Sequence, residues 1–476
     1  MTQPRRPGAI GLLLVVAVAL GGFPAAFGGV VGIGDISPFV DDDGVLVPDL
    51  PFFGGEVPDV VVGGTGFLVG GTNAGEMTIS VPSDTDPRET NTGEIGGTEA
   101  GLGLVRIVSL NSEWRISETL SVGQNGQGFL ELIAGAQLVS DQETVLNEPV
   151  LEIYVGELEG SQGFVSIDGF ASLMSSNVLS VGRRGFGALE IIAGGRMDTR
   201  TDAFIGEELD LSGNDNAVGT GTVRLEGRGT RWNVGDTSEL TPSQGVLTVG
   251  LAGRGTLEIR DQAWTRVNTD TFLGFDADSF GEVIVSDRNS TLWTFENLYV
   301  GNTMGTASGV LELIDDGLAR ADDATIVGPR GLVQLAGGTL LSPTVENNGV
   351  IRGAGRVESA VNNFGDLRTA STIDNLREQM WVTGEVSNDG IVESIGGEME
   401  FESLFTNNVD GQIFGKDAIL RFRGGLINNG SIVIENTVIV DGVISDGDFS
   451  VGAEATSTIV GGMDLGASST FNVVIG

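Results

Sequence analysis

The stretch Leu179–Arg200 reads LSVGRRGFGALEIIAGGRMDTR, and a close copy of it, LSVGQNGQGFLELIAGAQLVS, occupies Leu120–Ser140. The copies share glycines at fixed positions and a tract in which apolar and polar residues alternate. Alternation with a period of two is typical of a β-strand that buries one face. Glycine is typical of turns because it takes a positive φ without a steric penalty. The stretch therefore predicts short strands that are separated by tight turns.

The Val-Gly phrase of this stretch recurs along the first two thirds of the chain. Its successive glycines are 53, 59, 68 and 51 residues apart. Between them comes a second, weaker phrase that also ends in glycine, so each unit has two related halves of roughly 20–27 residues, a period typical of solenoids. The five full phrases are Phe67–Gly70, Leu120–Gly123, Leu179–Gly182, Leu247–Gly250 and Leu298–Gly301.

From about Val345 the phrase changes to turns that are rich in asparagine. Asn-Gly and Asn-Asp-Gly pairs favour left-handed backbone conformations, and the runs that follow them, such as GIVES and GSIVIE, have the pattern of short strands. We therefore predict left-handed turns between short strands in this part of the chain. The turns are Asn347–Gly349, Asn362–Gly365, Asn388–Gly390, Asn407–Gly411 and Asn428–Gly430.

These patterns predict an all-β fold, a right-handed parallel β-helix or β-solenoid built from tandem Gly-rich repeats. One coil cannot shelter its inward aliphatic side chains, whereas coils stacked about 4.8 Å apart bury them in a continuous core and pair their strands. Roughly 22 residues per coil give about 18 coils. We expect residues 67–345 to hold the five LxVG-type repeat units and residues 346–476 to continue the solenoid with Asn-Gly turn coils.

The two ends of the chain suggest export and truncation. Residues 1–28 have the pattern of a signal peptide: Arg5 and Arg6, an apolar run from Ala9 to Leu20, and small residues up to Gly28. An uncleaved membrane anchor is the alternative, because the segment from Gly8 to Gly34 has no charged residue. Residues 29–66, rich in Pro and Gly, are predicted to be a linker or an N-terminal cap. The strand-like run FNVVIG at the end predicts a solenoid that is truncated at its C-terminus.

The composition excludes several classes of function. With 65 acidic and 25 basic residues the formal charge is −40, which opposes binding to nucleic acid and to anionic lipid. The absence of Cys and His excludes disulfides, catalytic thiolates, Ser-His-Asp triads and the usual zinc sites. We expect no cofactor beyond weak Ca²⁺ binding, no nucleic-acid partner, and membrane contact only through the signal segment or an anchor outside this chain.

Three motifs resemble functional sites, but the repeat favours a structural interpretation of each. Asp315-Asp316 and Asp322-Asp323 offer carboxylate pairs for polysaccharide hydrolysis, yet Asp315-Asp316 aligns with a turn of the sister units, which predicts solvated turn acids. Asp41–Gly44 lacks the spacing of a calcium loop and is predicted to be a linker turn. Gly253–Gly255 resembles a phosphate loop, but no helix is predicted after it. The sequence therefore predicts no catalytic, cofactor-binding or metal-binding residue.

Tryptophans and insertions are the remaining candidates for a binding surface. The line that closes each unit ends at Trp114, Trp232 and Trp293, in phase with Leu173, which predicts that these three indoles pack in the core. Trp264 and Trp381 fall outside that column and are the better candidates for exposure. Because insertions in a solenoid map to loops on one face, we expect any binding site on three protruding loops, Gln142–Pro149, Glu207–Gly219 and Gly235–Gly245.

Residues 65–345 resemble a bacterial repeat that is associated with type V secretion and PEP-CTERM proteins. The pattern of that repeat is approximately LxVGxxGxGxLxIxxGxxV, followed by a second Gly-ended phrase and a Ser-x-Trp line. LSVGQNGQGFLELIAGAQLV and LSVGRRGFGALEIIAGGRM match it. The resemblance implies a secreted or cell-surface β-helical protein of a Gram-negative-type bacterium, similar to an autotransporter passenger.

The expected function is that of an exported, non-catalytic, structural or adhesive β-solenoid, with extracellular polysaccharide or cell-surface components as partners. The alternative is a β-helix that binds or degrades polysaccharide, which needs acids clustered with Lys or Arg on neighbouring coils. No such cluster is recognisable in the sequence. A cation-dependent assembly protein is a third hypothesis, which rests on the charge alone.

Overall fold

The computed structural model describes residues 29–34, 36–38, 67–70, 74–80, 88–110, 112–140, 151–207, 218–235, 245–370, 379–440, 443–451, 458–460, 463–466 and 470–473. Within these residues the chain consists of strands and turns and has no helix. The strands wind into a parallel β-solenoid in which each coil passes through three faces, called face 1, face 2 and face 3 in chain order.

Most strands belong to one face, and each pairs in parallel with the strand of the next coil. Face 1 carries Ala74–Ser80, Leu102–Val108, Gln127–Ile133, Gln162–Asp168, Phe186–Ile192, Thr220–Glu226, Arg254–Arg260, Phe280–Ser286, Ser308–Ile314, Asp366–Ala370, Ile391–Ile395, Gln412–Lys416, Ser431–Glu435, Asp448–Val451 and Thr470–Val473. Face 2 carries Gln137–Ser140, Leu173–Ser176, Arg196–Thr199, Arg231–Val234, Trp264–Val267, Thr291–Thr294, Leu318–Ala321, Gln379–Val382, Glu398–Phe401, Ile419–Phe422, Val438–Val440 and Thr458–Val460. Face 3 carries Phe67–Val69, Glu152–Val155, Val178–Val181, Ala203–Ile205, Leu247–Val249, Thr271–Leu273, Leu298–Val300, Ala324–Val327, Val386–Asn388, Phe405–Asn407, Leu426–Asn428, Val443–Ser445 and Met463–Leu465.

Six strands depart from this pattern. Arg88–Ile95 and Glu113–Val122 run from face 2 into face 3, and Gly331–Asn347 and Val350–Asn363 run through all three faces. Gly29–Gly34 pairs antiparallel with Ala74–Ser80, and Ile36–Pro38 pairs antiparallel with Phe67–Val69. These two N-terminal strands occupy the hydrogen-bonding edge of the first coil, where an open strand would be a template for aggregation.

Residues at equal positions of successive coils form inward columns. Leu130, Val165 and Leu189 are partners on three successive strands of face 1, and all three are almost completely buried. Burial of such a side chain contributes roughly 1.5–3 kcal/mol, and no single coil could achieve it alone. The prediction of an all-β parallel solenoid is therefore confirmed.

Val-Gly corners connect face 3 to face 1 in the first part of the solenoid. Gly182 has a φ of +73°, and its amide donates to the carbonyl of Val155 in the preceding coil over 2.7 Å. A Cβ atom on Gly182 would lie 2.1 Å from the carbonyl oxygen of Thr220 in the following coil. Glycine is needed here for two reasons, because the backbone is left-handed and because a neighbouring coil leaves no space for a side chain.

The last inward column of face 3 changes from aliphatic residues to asparagine along the solenoid. In the asparagine part, Nδ2 of each of the first four asparagines donates to Oδ1 of the asparagine in the next coil over 2.6–2.7 Å, and all five side chains are fully buried. We call these five residues the asparagine ladder. The column consists of Val69, Ile95, Val122, Val155, Val181, Ile205, Val249, Leu273, Val300 and Val327, followed by Asn347, Asn363, Asn388, Asn407 and Asn428.

The prediction of left-handed Asn-Gly turns was wrong. None of the Asn or Gly residues in the five turns has a positive φ. Asparagine is present because its amide is satisfied inside the stack, and glycine follows because the corner runs close to the preceding coil. A Cβ atom on Gly390, for example, would lie 2.2 Å from the carbonyl oxygen of Gly365. The strands predicted after the turns are present, among them Ile391–Ile395 and Ser431–Glu435.

Candidate functional surface

The outward side of face 3 brings carboxylates, hydroxyls and one arginine together. Ser121 donates to Oε2 of Glu157 and Ser180 donates to Oε2 of Glu207, both over 2.6 Å. The guanidinium of Arg183 lies 3.6 Å from Oε1 of Glu157. These groups stand on successive coils, so each contact ties one coil to another. We call Glu94, Glu152, Tyr154, Glu157, Arg183 and Glu207 the carboxylate cluster.

Burial raises the pKa of two carboxyls of the carboxylate cluster, those of Glu207 and Glu94. It raises the pKa of Glu207, and the charge of Glu152 acts in the same direction, while the Ser180 hydrogen bond and Arg183 oppose it. Burial likewise raises the pKa of Glu94, against a hydrogen bond from Gln124. These shifts favour the neutral form of both carboxyls because a buried charge loses its hydration.

Tyr154 completes the carboxylate cluster. Its hydroxyl donates to Glu152, and the guanidinium carbon of Arg183 lies 4.3 Å from the centre of its ring. Burial and the bond to Glu152 raise the pKa of Tyr154 far above its ordinary value. The phenol therefore stays neutral and holds its neighbours in place.

The carboxylate cluster corrects the expectation that no acids gather with a basic residue on neighbouring coils. Glu157, Arg183 and Glu207 each follow the glycine of a Gly-ended phrase, so the signal is present in the sequence at the residue after that glycine. A carboxyl with a raised pKa beside an arginine has the components of acid–base chemistry. Glu207, however, is only 5% exposed and is already hydrogen-bonded to Ser180.

A second group lies on the outward side of face 2, where arginines alternate with aromatic rings. Asn233, Arg266, Trp293 and Arg320 are register partners on four successive strands. The guanidinium carbons of Arg266 and Arg320 lie 5.8 and 4.6 Å from the centre of the Trp293 ring. The ring of Phe295 also stacks on Trp293, with the ring centres 4.5 Å apart, so the indole is already engaged by protein groups.

Trp293 is therefore not a core residue, and that prediction was wrong. Trp114 and Trp232 are 1% and 0% exposed, as predicted, but the core position that corresponds to Trp232 is filled by Leu292. Trp293 is one residue further along and points outward, where its Nε1 donates to Asp322 over 3.0 Å. The true partner of Trp114 and Trp232 in the core column is Met174, while Leu173 faces outward.

Trp264 and Trp381 occupy outward positions of face 2, outside the core column, but they are half-buried rather than exposed. Register places Trp264 between Arg231 and Thr291, and Trp381 between Arg356 and Glu400.

The acid pairs and the Gly-x-Gly motif occupy turns and strand ends. Asp315 and Asp316 form the left-handed turn between face 1 and face 2, with φ values of +47° and +67°. Asp322 accepts from Arg320 over 2.6 Å. Gly253–Gly255 leads into the strand Arg254–Arg260, so that no helix follows it. In the described part of the chain, no three acidic side chains are placed to hold a metal ion.

Several predicted segments lie outside the described residues. They are the signal segment 1–28, residues 39–66 with Asp41–Gly44, and the greater part of the three insertions. The described ends of two insertions, Ser140 with Leu151 and Gly235 with Gly245, lie at the same corner, between face 2 and face 3. Among the described residues, no helix is long and apolar enough to cross a membrane.

No protein-family model matches the chain, and no curated protein matches it in sequence. The resemblance to the repeat associated with type V secretion and PEP-CTERM proteins thus stays a prediction. Among solved structures, the chain is similar to the crystal structure of a TibC-catalysed hyper-glycosylated TibA55–350 fragment, with a TM-score of 0.25 and 12% sequence identity over 81% of this chain and 97% of that chain. The fold assignment rests on the strand register of this chain.

Proposed function

We propose that this protein is an exported, non-catalytic β-solenoid that serves as a structural or adhesive rod on the surface of a Gram-negative-type bacterium. One observation supports the absence of catalysis more than any other. Glu207, whose pKa burial raises, is shielded from solvent and bonded to Ser180, so it is not presented to a substrate.

The outer surface fits a rod that is displayed in water. Many of its arginines are paired with carboxylates of the same or adjacent coils, as in Arg421 with Glu398 over 2.6 Å and Arg260 with Glu226 over 2.8 Å. With a formal charge of −40, like-charge repulsion keeps such rods apart and soluble. The signal-like segment 1–28 supports export.

Two measurements test this proposal. The full chain, expressed in a Gram-negative host, is expected to lose residues 1–28, which N-terminal sequencing of the exported protein detects. Incubated with acidic and neutral polysaccharides, the purified protein is expected to release neither reducing ends nor unsaturated products. Retention of an unprocessed chain in the inner membrane contradicts export, and product formation contradicts the non-catalytic assignment.

The carboxylate cluster supports a second candidate function, polysaccharide degradation. Tyr154, Arg183 and Glu157 lie together on face 3, and an acid, a base and a cation are the groups such a reaction uses. If products form, Glu157→Gln and Arg183→Gln should abolish them. The control Arg352→Gln, an exposed arginine on face 1, should leave product formation unchanged.

A further inference from the structure

Face 2 carries a local excess of arginine on a strongly acidic protein. Five consecutive strands of this face, from Arg196–Thr199 to Leu318–Ala321, present four outward arginines and two tryptophans. We call this surface the arginine patch. Its members are Arg196, Arg231, Trp264, Arg266, Trp293 and Arg320.

Two arginines of the patch have no acidic partner in the described part of the chain. Arg196 pairs with Asp198 over 2.5 Å and Arg320 with Asp322 over 2.6 Å. By contrast, the structure gives Arg231 and Arg266 no carboxylate among the described residues, and Nε of Arg266 is buried without a hydrogen-bond partner. The two unpaired guanidinium groups therefore make the patch locally positive.

Stacking holds Arg266 ready to bind an anion. Its guanidinium carbon lies 4.4 Å from the centre of the Phe295 ring, and Phe295 is itself stacked on Trp293 at 4.5 Å. A guanidinium that stacks on a ring keeps its N–H donors free, because they lie in its own plane; in Arg266 these are the donors of the two terminal nitrogens, since Nε is buried. Such a planar fork matches a carboxylate in a bidentate arrangement.

Trp264 lies between the two unpaired arginines. It is the register partner of Arg231 on the neighbouring strand and is two residues from Arg266 on its own strand. Neither a ring contact nor a hydrogen bond engages its half-buried indole within the described residues. An indole with a free face and a free N–H offers both an apolar surface and a donor.

We propose that the arginine patch binds a carboxylate-bearing polysaccharide, a polyuronate, with a sugar ring against Trp264 and uronate carboxylates on Arg231 and Arg266. This inference rests on the proposed function, for which it names the class of partner. A linear polysaccharide can lie along the patch and contact several coils at once, since neighbouring coils are only about 4.8 Å apart. A second copy of this chain is a less suitable partner, because its charge of −40 would be repelled by the equal charge of the first copy.

A nucleic acid fits the patch less well than a polyuronate. Its affinity depends on the neutralisation of many phosphates by Lys and Arg, whereas the patch offers two unpaired guanidinium groups. At 0.15 M salt the Debye length is about 8 Å, so the acidic surface beyond the patch is screened from a polymer bound there.

The test measures binding of polygalacturonate to the full chain at 0.15 M salt by calorimetry, with dextran and single-stranded DNA as comparison polymers. We expect binding of polygalacturonate only. Each of Arg231→Gln, Arg266→Gln and Trp264→Ala should raise Kd about tenfold, because each removes one charge-assisted or stacking contact.

The matched controls are Arg352→Gln and Trp381→Ala, an exposed arginine on face 1 and an outward tryptophan on face 2 in the second part of the solenoid. They should leave Kd unchanged, and thermal melting checks that all variants fold. The inference is overturned if wild-type protein does not bind polygalacturonate, if dextran or DNA binds equally well, or if the controls weaken binding as much as the patch variants. Cleavage of the bound polymer contradicts the non-catalytic proposal instead, so the two failures are distinguishable.

Discussion

The aliphatic part of the solenoid, Val69 to Val327, and the asparagine part, Asn347 to Asn428, solve one problem differently. Both must turn the chain from face 3 to face 1, and both place the residue before the turn in the same inward column. The aliphatic part buries Val, Ile or Leu there and, from Gly70 to Gly301, turns on a left-handed glycine, as at Gly182. The asparagine part buries an amide there and turns without a left-handed residue. One stack can thus be held together by apolar contact or by a chain of hydrogen bonds.

The difference shows what each device requires of the sequence. An aliphatic column tolerates a change between Val, Ile and Leu, because the hydrophobic contribution of a buried side chain does not depend on its orientation. The asparagine ladder needs a donor and an acceptor in every coil, since a buried polar group without a partner is costly. The ladder is therefore uniform over five coils, whereas the aliphatic column varies.

The largest expected effect is the loss of a core indole from the aliphatic part. Trp232→Ala should lower the free energy of unfolding by about 3–5 kcal/mol, since it leaves a large cavity and removes the hydrogen bond from Nε1 to Thr199. Trp293→Ala removes an outward indole and should cost about 1 kcal/mol, the scale of an exposed cation–π contact. Urea denaturation of both variants measures the difference. Equal losses of unfolding free energy in the two variants would indicate that Trp293 is a core residue.

An interruption of the asparagine ladder should have the next largest effect. Asn388→Ala removes the side-chain acceptor of Asn363 Nδ2 and the side-chain donor to Oδ1 of Asn407, at a cost of about 1–3 kcal/mol for a buried group that loses its partner. Hydrogen exchange should accelerate from Val350 to Asn428 and change little before Val327. The control Thr406→Ala alters an outward residue of an adjacent coil. Faster exchange over the whole chain would show that the two parts do not differ in this way.

Substitutions at two glycines of one corner allow the cost of a left-handed backbone to be measured apart from the cost of a steric clash. Gly156 and Gly160 have φ values of +72° and +77°, but a Cβ atom on Gly156 would lie 2.1 Å from the carbonyl oxygen of Phe186, and one on Gly160 would meet nothing within 4 Å. Gly160→Asn should cost less than about 1 kcal/mol, because Asn tolerates the left-handed region. Gly156→Asn should cost about 2–3 kcal/mol more, as an overpacked site does. Similar melting temperatures for the two variants would contradict this account.

The smallest expected effect is a pH dependence in the aliphatic part. Burial raises the pKa of Glu207 above its unfolded value, so the folded state binds this proton more tightly than the unfolded state. Stability from this group is therefore present at low pH and lost as pH rises through the folded pKa. Glu207→Gln should gain stability relative to wild type as the pH rises above 4.5, the ordinary value for the glutamate pKa, as followed by thermal melting. Glu296→Gln, at an exposed residue, is the control, and parallel curves for Glu207→Gln and wild type would contradict the shift.

The candidate surfaces were less predictable from the sequence than the fold. The residues after three successive Gly-ended phrases are Glu157, Arg183 and Glu207, but their contacts depend on which coils become neighbours. The same holds for Arg266 and Trp293, which are 27 residues apart and adjacent in register. Insertions of different length separate the coils, so the spacing along the sequence does not give the register.

The sequence by itself determined the strands, their alternation of buried and exposed residues and the stacked solenoid, because alternation and glycine turns are local properties that the chain repeats many times. Only the tertiary structure decided that Trp293 points outward, that the asparagines are buried inside the stack, and which charged side chains contact one another. A shift of one residue in a strand moves a side chain from the core to the solvent. Whether an asparagine serves a turn or a ladder depends on the coil stacked against it, and that neighbour is chosen by packing.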